Sequence, residues 1–285
     1  AGVAIIAFAI SYYGHDLPNH EQLSVYEPSI ITRIYAGDGG LLAEYAREKR
    51  IFVPIQKIPD VVKQAFISAE DKNFYEHGGI DKKAILRAVI TTIKNLGSGR
   101  RLVGASTITQ QVAKNFLLTN EVKIERKIKE AILAMRMEKS LSKDQLLEMY
   151  LNEIFLGQRA YGVASAAMIY FNKPLKELTI EEAAYLAALP KAPNNYHPVS
   201  NHNAALKRRN DIIGLMEDNG YITSEQKQLA QIAPLQMLQS QDENNVEASF
   251  FAEEVRRELK KKYGEQSLYQ GGLAVRSSVD PTLQN

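Results

Sequence analysis

Ala69-Glu70-Asp71-Lys72-Asn73-Phe74-Tyr75-Glu76-His77-Gly78-Gly79 is the stretch around which the rest of the chain can be read. Upstream of it, Pro59 to Ala69 reads as a helix, with Pro near the first turn and Val62, Ala65, Phe66 and Ala69 recurring at three- and four-residue intervals. Glu70 falls at the edge of that apolar stripe, and the double glycine ends the regularity beyond it. A half-desolvated carboxylate at such a place has a raised pKa and suits a general acid or base. By itself an acidic pair at a helix end is as readily a solvated terminus, so its meaning depends on the rest of the chain.

The chain has 285 residues, enough to bury a real core as one large domain or two smaller ones. Hydrophobic residues make up 45% and charged residues 24%, the balance of a globular protein. Lys and Arg number 35 against 33 acids, leaving a net charge of +2, which argues against a nucleic-acid partner; an anion site would have to come from local clustering. There is no cysteine, which excludes disulfides, thiol nucleophiles and cysteine-zinc sites. Ala1 to Ile10 is uncharged and apolar but as a helix would span only ~15 Å, half a bilayer core. With Tyr12 and Tyr13 placed for a membrane-water boundary, it reads as the outer end of a membrane-spanning helix, the rival being a buried first helix.

Ile30 to Tyr35 and Leu41 to Tyr45 flank a glycine-rich turn and predict a hairpin. Helices are expected over Asp81 to Leu96, Asp144 to Asn152, Glu181 to Leu189, Asn203 to Asn219, Ser224 to Gln231 and Ala248 to Tyr263. Ser142 with Gln145 and Thr179 with Glu182 are capping boxes for two of them. Gly271 to Val279 alternates like a strand. Gly104 to Asn115 is rich in uncharged hydrogen-bonding side chains, which either cap a helix or line a sugar or phosphate site.

The helix expected over Val122 to Ser140 is the most informative. At 100° per residue Ile128, Ala131, Ile132 and Met135 lie within about 80° of Ile124, while Lys123, Arg126, Lys127 and Glu130 fall between about 200° and 300°. One reading is a solvated face laced by an Arg126–Glu130 pair. The other is an anion clamp for a group such as pyrophosphate, in which the acid holds the cations or binds a metal.

Five segments then fall together in order: Glu70-Asp71 with Phe74, His77 and Gly79; Gly104 with Ser106-Thr107 and Gln110-Gln111; Arg126-Lys127 with Glu130; Lys143 through Glu148 with Tyr150, Leu151 and Asn152; and Arg159, Gly162, Ala166-Ala167, Tyr170-Phe171 and Lys173. Together they resemble the five motifs of the family 51 peptidoglycan glycosyltransferases, the glycan-polymerising domain of class A penicillin-binding proteins. Departures are slight: Leu146 stands where isoleucine is common and Ala160 where glycine is common.

The resemblance implies a mainly α, lysozyme-like glycosyltransferase fold with a small N-terminal β-hairpin and a membrane-embedded subdomain, for which Phe116-Leu117-Leu118 is the candidate. It implies the end of a transmembrane helix at 1–13, a connecting segment with the hairpin at 14–58, the glycosyltransferase domain at 59–245, and at 246–285 a C-terminal helix leading toward a transpeptidase domain. Glu70 would be the general base that takes the 4-hydroxyl proton of the acceptor, lipid II; the donor would be a growing glycan chain on polyprenyl pyrophosphate. Lys114, Arg126 and Lys127 would meet the pyrophosphate, and Glu130, the second catalytic glutamate, would position it or its divalent cation, Mg²⁺ or Mn²⁺. Arg87, Ser106, Gln111 and Asn115 would line the donor side. No organic cofactor is implied. The expected partners are lipid II, the glycan chain, the bilayer and a moenomycin-type inhibitor; the expected location is the bacterial inner membrane, with a single-pass anchor and the catalytic domain on the periplasmic side. A muramidase or lytic transglycosylase, which needs no cationic clamp, and a non-catalytic membrane scaffold are the competing functions.

Overall fold

The computed structural model describes residues 12–13, 15, 17, 32–45, 49–94, 106–118, 124–237, 249–270 and 273–279. The apolar segment Ala1 to Ile10, Gly104 and Lys123 lie outside them. The chain is mainly helical. Among the described residues the elements run β1 (Thr32–Tyr35), β2 (Leu41–Tyr45), β3 (Lys49–Arg50), α1 (Asp60–Glu70), α2 (Lys82–Lys94), α3 (Ile108–Leu117), α4 (Ile124–Ser140), α5 (Lys143–Glu153), β4 (Ala160–Tyr161), α6 (Val163–Phe171), α7 (Ile180–Ala188), α8 (His202–Asp218), α9 (Ser224–Ile232), α10 (Ser249–Gln270) and β5 (Ala274–Arg276). Among these residues no helix is long and apolar enough to cross a membrane.

The chain divides into two compact units, one of residues 1–26, 55–151 and 210–232, the other of residues 27–54, 152–209 and 233–285. The first holds α1 to α4, most of α5, and α9. Its interior takes Val62, Ala65 and Phe66 from the stripe that the helical spacing predicts on α1, with Ile108, Val112 and Ala113 of α3 and Leu146, Leu147 and Tyr150 of α5. On α4 the buried side chains are Ile132, Leu133, Ala134 and Met137, so the buried side is turned away from the predicted stripe, of which Ile128, Ala131 and Met135 are only half-buried. Each large apolar side chain taken from water adds about 1.5–3 kcal/mol, so these stripes dominate the stability of the unit. Polar contacts fix how the stripes meet. Glu138 on α4 accepts from Thr109 Oγ1 of α3 at 2.6 Å and from Lys143 Nζ of α5 at 2.7 Å, and that ammonium lies 4.5 Å from the centre of the Phe74 ring. The capping box read at Ser142 is made, Gln145 N–H donating to Ser142 Oγ at 3.2 Å.

In the second unit the expected hairpin is present, β1 pairing antiparallel with β2 from Thr32–Tyr45 to Tyr35–Leu41. The late strand β5 lies on the other side of β1 and parallel to it, giving the order β2-β1-β5. Ile34, Ala36, Leu259 and Leu268 make a small core between this sheet and α10, with Phe251, Val255 and Val275 packed on it. The spacing predicts that α10 ends at Tyr263; instead it breaks at Gly264, whose φ is 83°, and resumes to Gln270. The run of small residues after Gly162 forms α6, and Gly162 admits no side chain: its φ is +79°, and a Cβ would stand 2.5 Å from the Asn152 carbonyl oxygen. The capping box read at Thr179 is made as well, Thr179 N–H donating to Glu182 Oε2 at 3.0 Å.

Candidate active site

Every site residue expected from the sequence lies in the first unit. Glu70 is the last residue of α1, half-buried, and its Oε2 accepts a hydrogen bond of 2.7 Å from Gln111 Nε2 on α3. The neighbouring glutamine does something else. Gln110 closes a capping box with Thr107, its N–H donating to Thr107 Oγ1 at 3.1 Å while its Oε1 accepts from Thr107 N–H at 2.9 Å. The polar run is therefore divided: Thr107 and Gln110 start the helix, and Gln111 meets the carboxylate. Lys114 and Asn115 follow Gln111 by three and four residues, so all three share one face of α3.

Asp71 and His77 hold that arrangement. Asp71 Oδ2 accepts from Ile108 N–H, in the first turn of α3, at 3.0 Å. His77 Nε2 lies 2.9 Å and 3.0 Å from the two Asp71 oxygens, and His77 Nδ1 accepts from Gly79 N–H at 3.2 Å. An Nδ1 that accepts leaves the proton on Nε2, so His77 donates to Asp71. The carboxylate beside Glu70 thus staples the end of α1 to the start of α3. Gly79 adds a second tie to the start of α3, its carbonyl accepting from Thr107 Oγ1 at 2.7 Å, and it lies against α4. Its φ is +93°, and a Cβ would come within 2.7 Å of the Ala134 backbone.

Glu130, one turn before Ala134 on α4, is only 1% exposed. Lys127 Nζ binds its Oε2 and also donates to Ser106 Oγ at 2.9 Å. Arg126 Nε lies 3.0 Å from Oε1, out of hydrogen-bond alignment, so the pair is held by charge alone. The side chains of Arg126 and Lys127 are 17% and 51% exposed. This differs from a solvated face. The helical spacing put Glu130 opposite the apolar stripe, but on that side of α4 Lys127 bonds Ser106, just ahead of α3, and the carboxylate is enclosed beneath its two cations. Buried charge of this kind persists only when paired.

Arg87 makes its contacts at its own end of α2 rather than with these residues: it is exposed, its Nη2 lies 3.9 Å from Asp81 Oδ2, and its Nε donates to Lys83 O at 3.4 Å. Among the described residues no group of three or more metal-ligating side chains converges. Both Glu130 oxygens face this chain's own cations, Arg126 and Lys127. The sequence shows His77 and Thr107 inside the motifs but gives neither a role, because their pairing with Asp71 and Gly79 needs the fold.

A family model described as Transglycosylase matches residues 38–217. Penicillin-binding protein 1A of Rickettsia bellii is 49% identical over 284 residues, 99% of this chain and 36% of the relative. Penicillin-binding protein 1A of Neisseria flavescens is 44% identical over 283 residues, 99% of this chain and 35% of the relative. A crystal structure of penicillin-binding protein 1A from Haemophilus influenzae matches with a TM-score of 0.52 at 27% identity, covering 90% of this chain and 28% of that one. The chain spans about a third of the length of the curated relatives it matches. The match over residues 38–217 and the two relatives, 49% and 44% identical, agree with the five motifs: the chain belongs to the transglycosylase family, as a peptidoglycan glycosyltransferase domain of the class A penicillin-binding protein kind.

Proposed function

We propose that the chain polymerises lipid II into β-1,4-linked glycan, with Glu70 as the general base. The Glu70 carboxylate takes the proton from the acceptor 4-hydroxyl as that oxygen bonds to C1 of the donor sugar. The bond from C1 to the pyrophosphate oxygen breaks with inversion, and polyprenyl pyrophosphate leaves. The observation that carries this reading is the 2.7 Å bond from Gln111 to Glu70. It fixes a half-buried carboxylate with a neutral donor, on a helix face shared with Lys114. In the same unit Arg126 and Lys127 present two cations over Glu130, the chemistry a departing pyrophosphate needs. Glu130 keeps those cations in place, and Ser106 sets the Lys127 ammonium. A muramidase needs no such clamp, which favours transfer from a pyrophosphate over hydrolysis of finished glycan.

Membrane association belongs to the same proposal. On α2, Ile85, Leu86 and Ile90 are 40%, 62% and 44% exposed, and they support a membrane-facing surface there. Phe116, Leu117 and Leu118 are half-buried. A periplasmic location on the inner membrane and a transpeptidase domain in the longer protein complete the reading. The test is a lipid II polymerisation assay on this chain, with and without EDTA, beside a digestion assay on finished glycan. New glycan strands are the expected product; shortening of finished glycan without polymerisation would overturn the proposal.

A further inference from the structure

Thr109, Glu138 and Lys143 form a polar group in the first unit to which the reaction above gives no part. Glu138 Oε1 on α4 accepts from Thr109 Oγ1 of α3 at 2.6 Å and from Lys143 Nζ of α5 at 2.7 Å. Thr109 is fully buried, and the side chains of Glu138 and Lys143 are 8% and 20% exposed. An ion pair this enclosed adds little stability beyond what apolar side chains of the same size would give, so stability does not account for it. What it adds is direction: apolar surfaces slide on one another, whereas hydrogen bonds fix distance and angle.

Both ends of the group lead to Glu70. Lys143 Nζ lies 4.5 Å from the centre of the Phe74 ring, which is fully buried four residues beyond Glu70. The next residue repeats the grip, Asp144 Oδ1 accepting from Tyr75 Oη at 3.2 Å. On α3, Thr109 precedes Gln111 by two residues, so their side chains leave the helix on opposite sides. Glu138 therefore holds the back of the helix whose front brings Gln111 to Glu70 at 2.7 Å. The contacts close a ring that runs from Glu70 through Phe74, Lys143, Glu138, Thr109 and Gln111 back to Glu70. Resting on the reading of Glu70 as base, we infer that Glu138 and Lys143 are positioning residues for it: by gripping Phe74 and the back of α3 together, they set the separation of Glu70 and Gln111.

The test is Lys143→Met in the full chain, which removes the charge and keeps the length of the side chain. Lys143→Arg is the conservative variant, and Thr109→Val is a milder cut at the other end of the group. Polymerisation of lipid II is followed well below the melting temperature of each variant. Lys143→Met is expected to lower kcat about tenfold with KM within about twofold of wild type, because misplaced reacting groups slow the chemical step. Thr109→Val should act in the same direction with a smaller loss, and Lys143→Arg should restore most of the rate. Wild-type kcat in both Lys143→Met and Thr109→Val would make the group a packing feature and overturn the inference, as would a raised KM as the main effect. In a Gln111→Leu background Lys143→Met should add less than about a twofold loss; a further loss of about tenfold would show that Lys143 acts elsewhere, and would overturn it too. Glu70→Gln at the wild-type rate would instead remove the base reading itself, and the positioning role with it.

Discussion

Glu70 and Glu130 are both glutamates on helices of one unit, and their surroundings give them different chemistry. Glu70 is half-buried at a helix end and held by the neutral amide of Gln111. Glu130 is enclosed in mid-helix between Arg126 and Lys127. A carboxylate can keep an amide partner after it has taken a proton, whereas one whose oxygens face two cations is committed to holding them. The motif acids are therefore not interchangeable, and in the proposed reaction one acts on the acceptor and the other organises charge for the leaving group.

Four substitutions put that contrast at risk. The largest effect is expected at Glu70, where glutamine keeps the shape but takes no proton: polymerisation should fall on the order of 10² to 10⁴ fold with the melting temperature preserved. Glu130→Gln should behave differently, because it leaves two cations without their counter-charge. Breaking a buried pair costs about 3–5 kcal/mol, so loss of stability in chemical denaturation is expected together with weakened donor binding. Lys127→Ala removes one donor from the proposed clamp, and a loss of ~3 kcal/mol at the transition state, over a hundredfold in kcat/KM, is expected. Gln111→Leu tests the other side. Losing one hydrogen bond to a charged group costs about 1.5–3 kcal/mol, read as a tenfold or larger drop in polymerisation rate with donor affinity intact. Weakened donor affinity as the main effect of Gln111→Leu would instead place that side chain on the donor, as the sequence resemblance implies.

Much of this is legible in the sequence because it is local. Apolar residues three and four apart place α1 and α4, Ser142 and Thr179 mark helix starts, and the glycine-rich turn marks the hairpin. The contacts that assemble the site join residues far apart in the chain, and no periodicity reports them. Asp71 meets Ile108 N–H, 37 residues away, and Gln111 meets Glu70 across 41. The burial of Glu130 is illegible for a related reason: a helical wheel shows which side of α4 is polar, not what packs on it. In the second unit, the parallel pairing of β5 with β1 joins an early strand to a late one, such as Arg33 with Ala274, and the alternating pattern of β5 carries no record of its partner.

The decisive measurement is the single-turnover rate of lipid II coupling by the Glu70→Gln chain, taken with its affinity for the polyprenyl-pyrophosphate donor. A rate reduced on the order of 10³ fold, with donor affinity unchanged, is the expected result. Coupling at the wild-type rate would show that the proton goes elsewhere and that Glu70 is not the base.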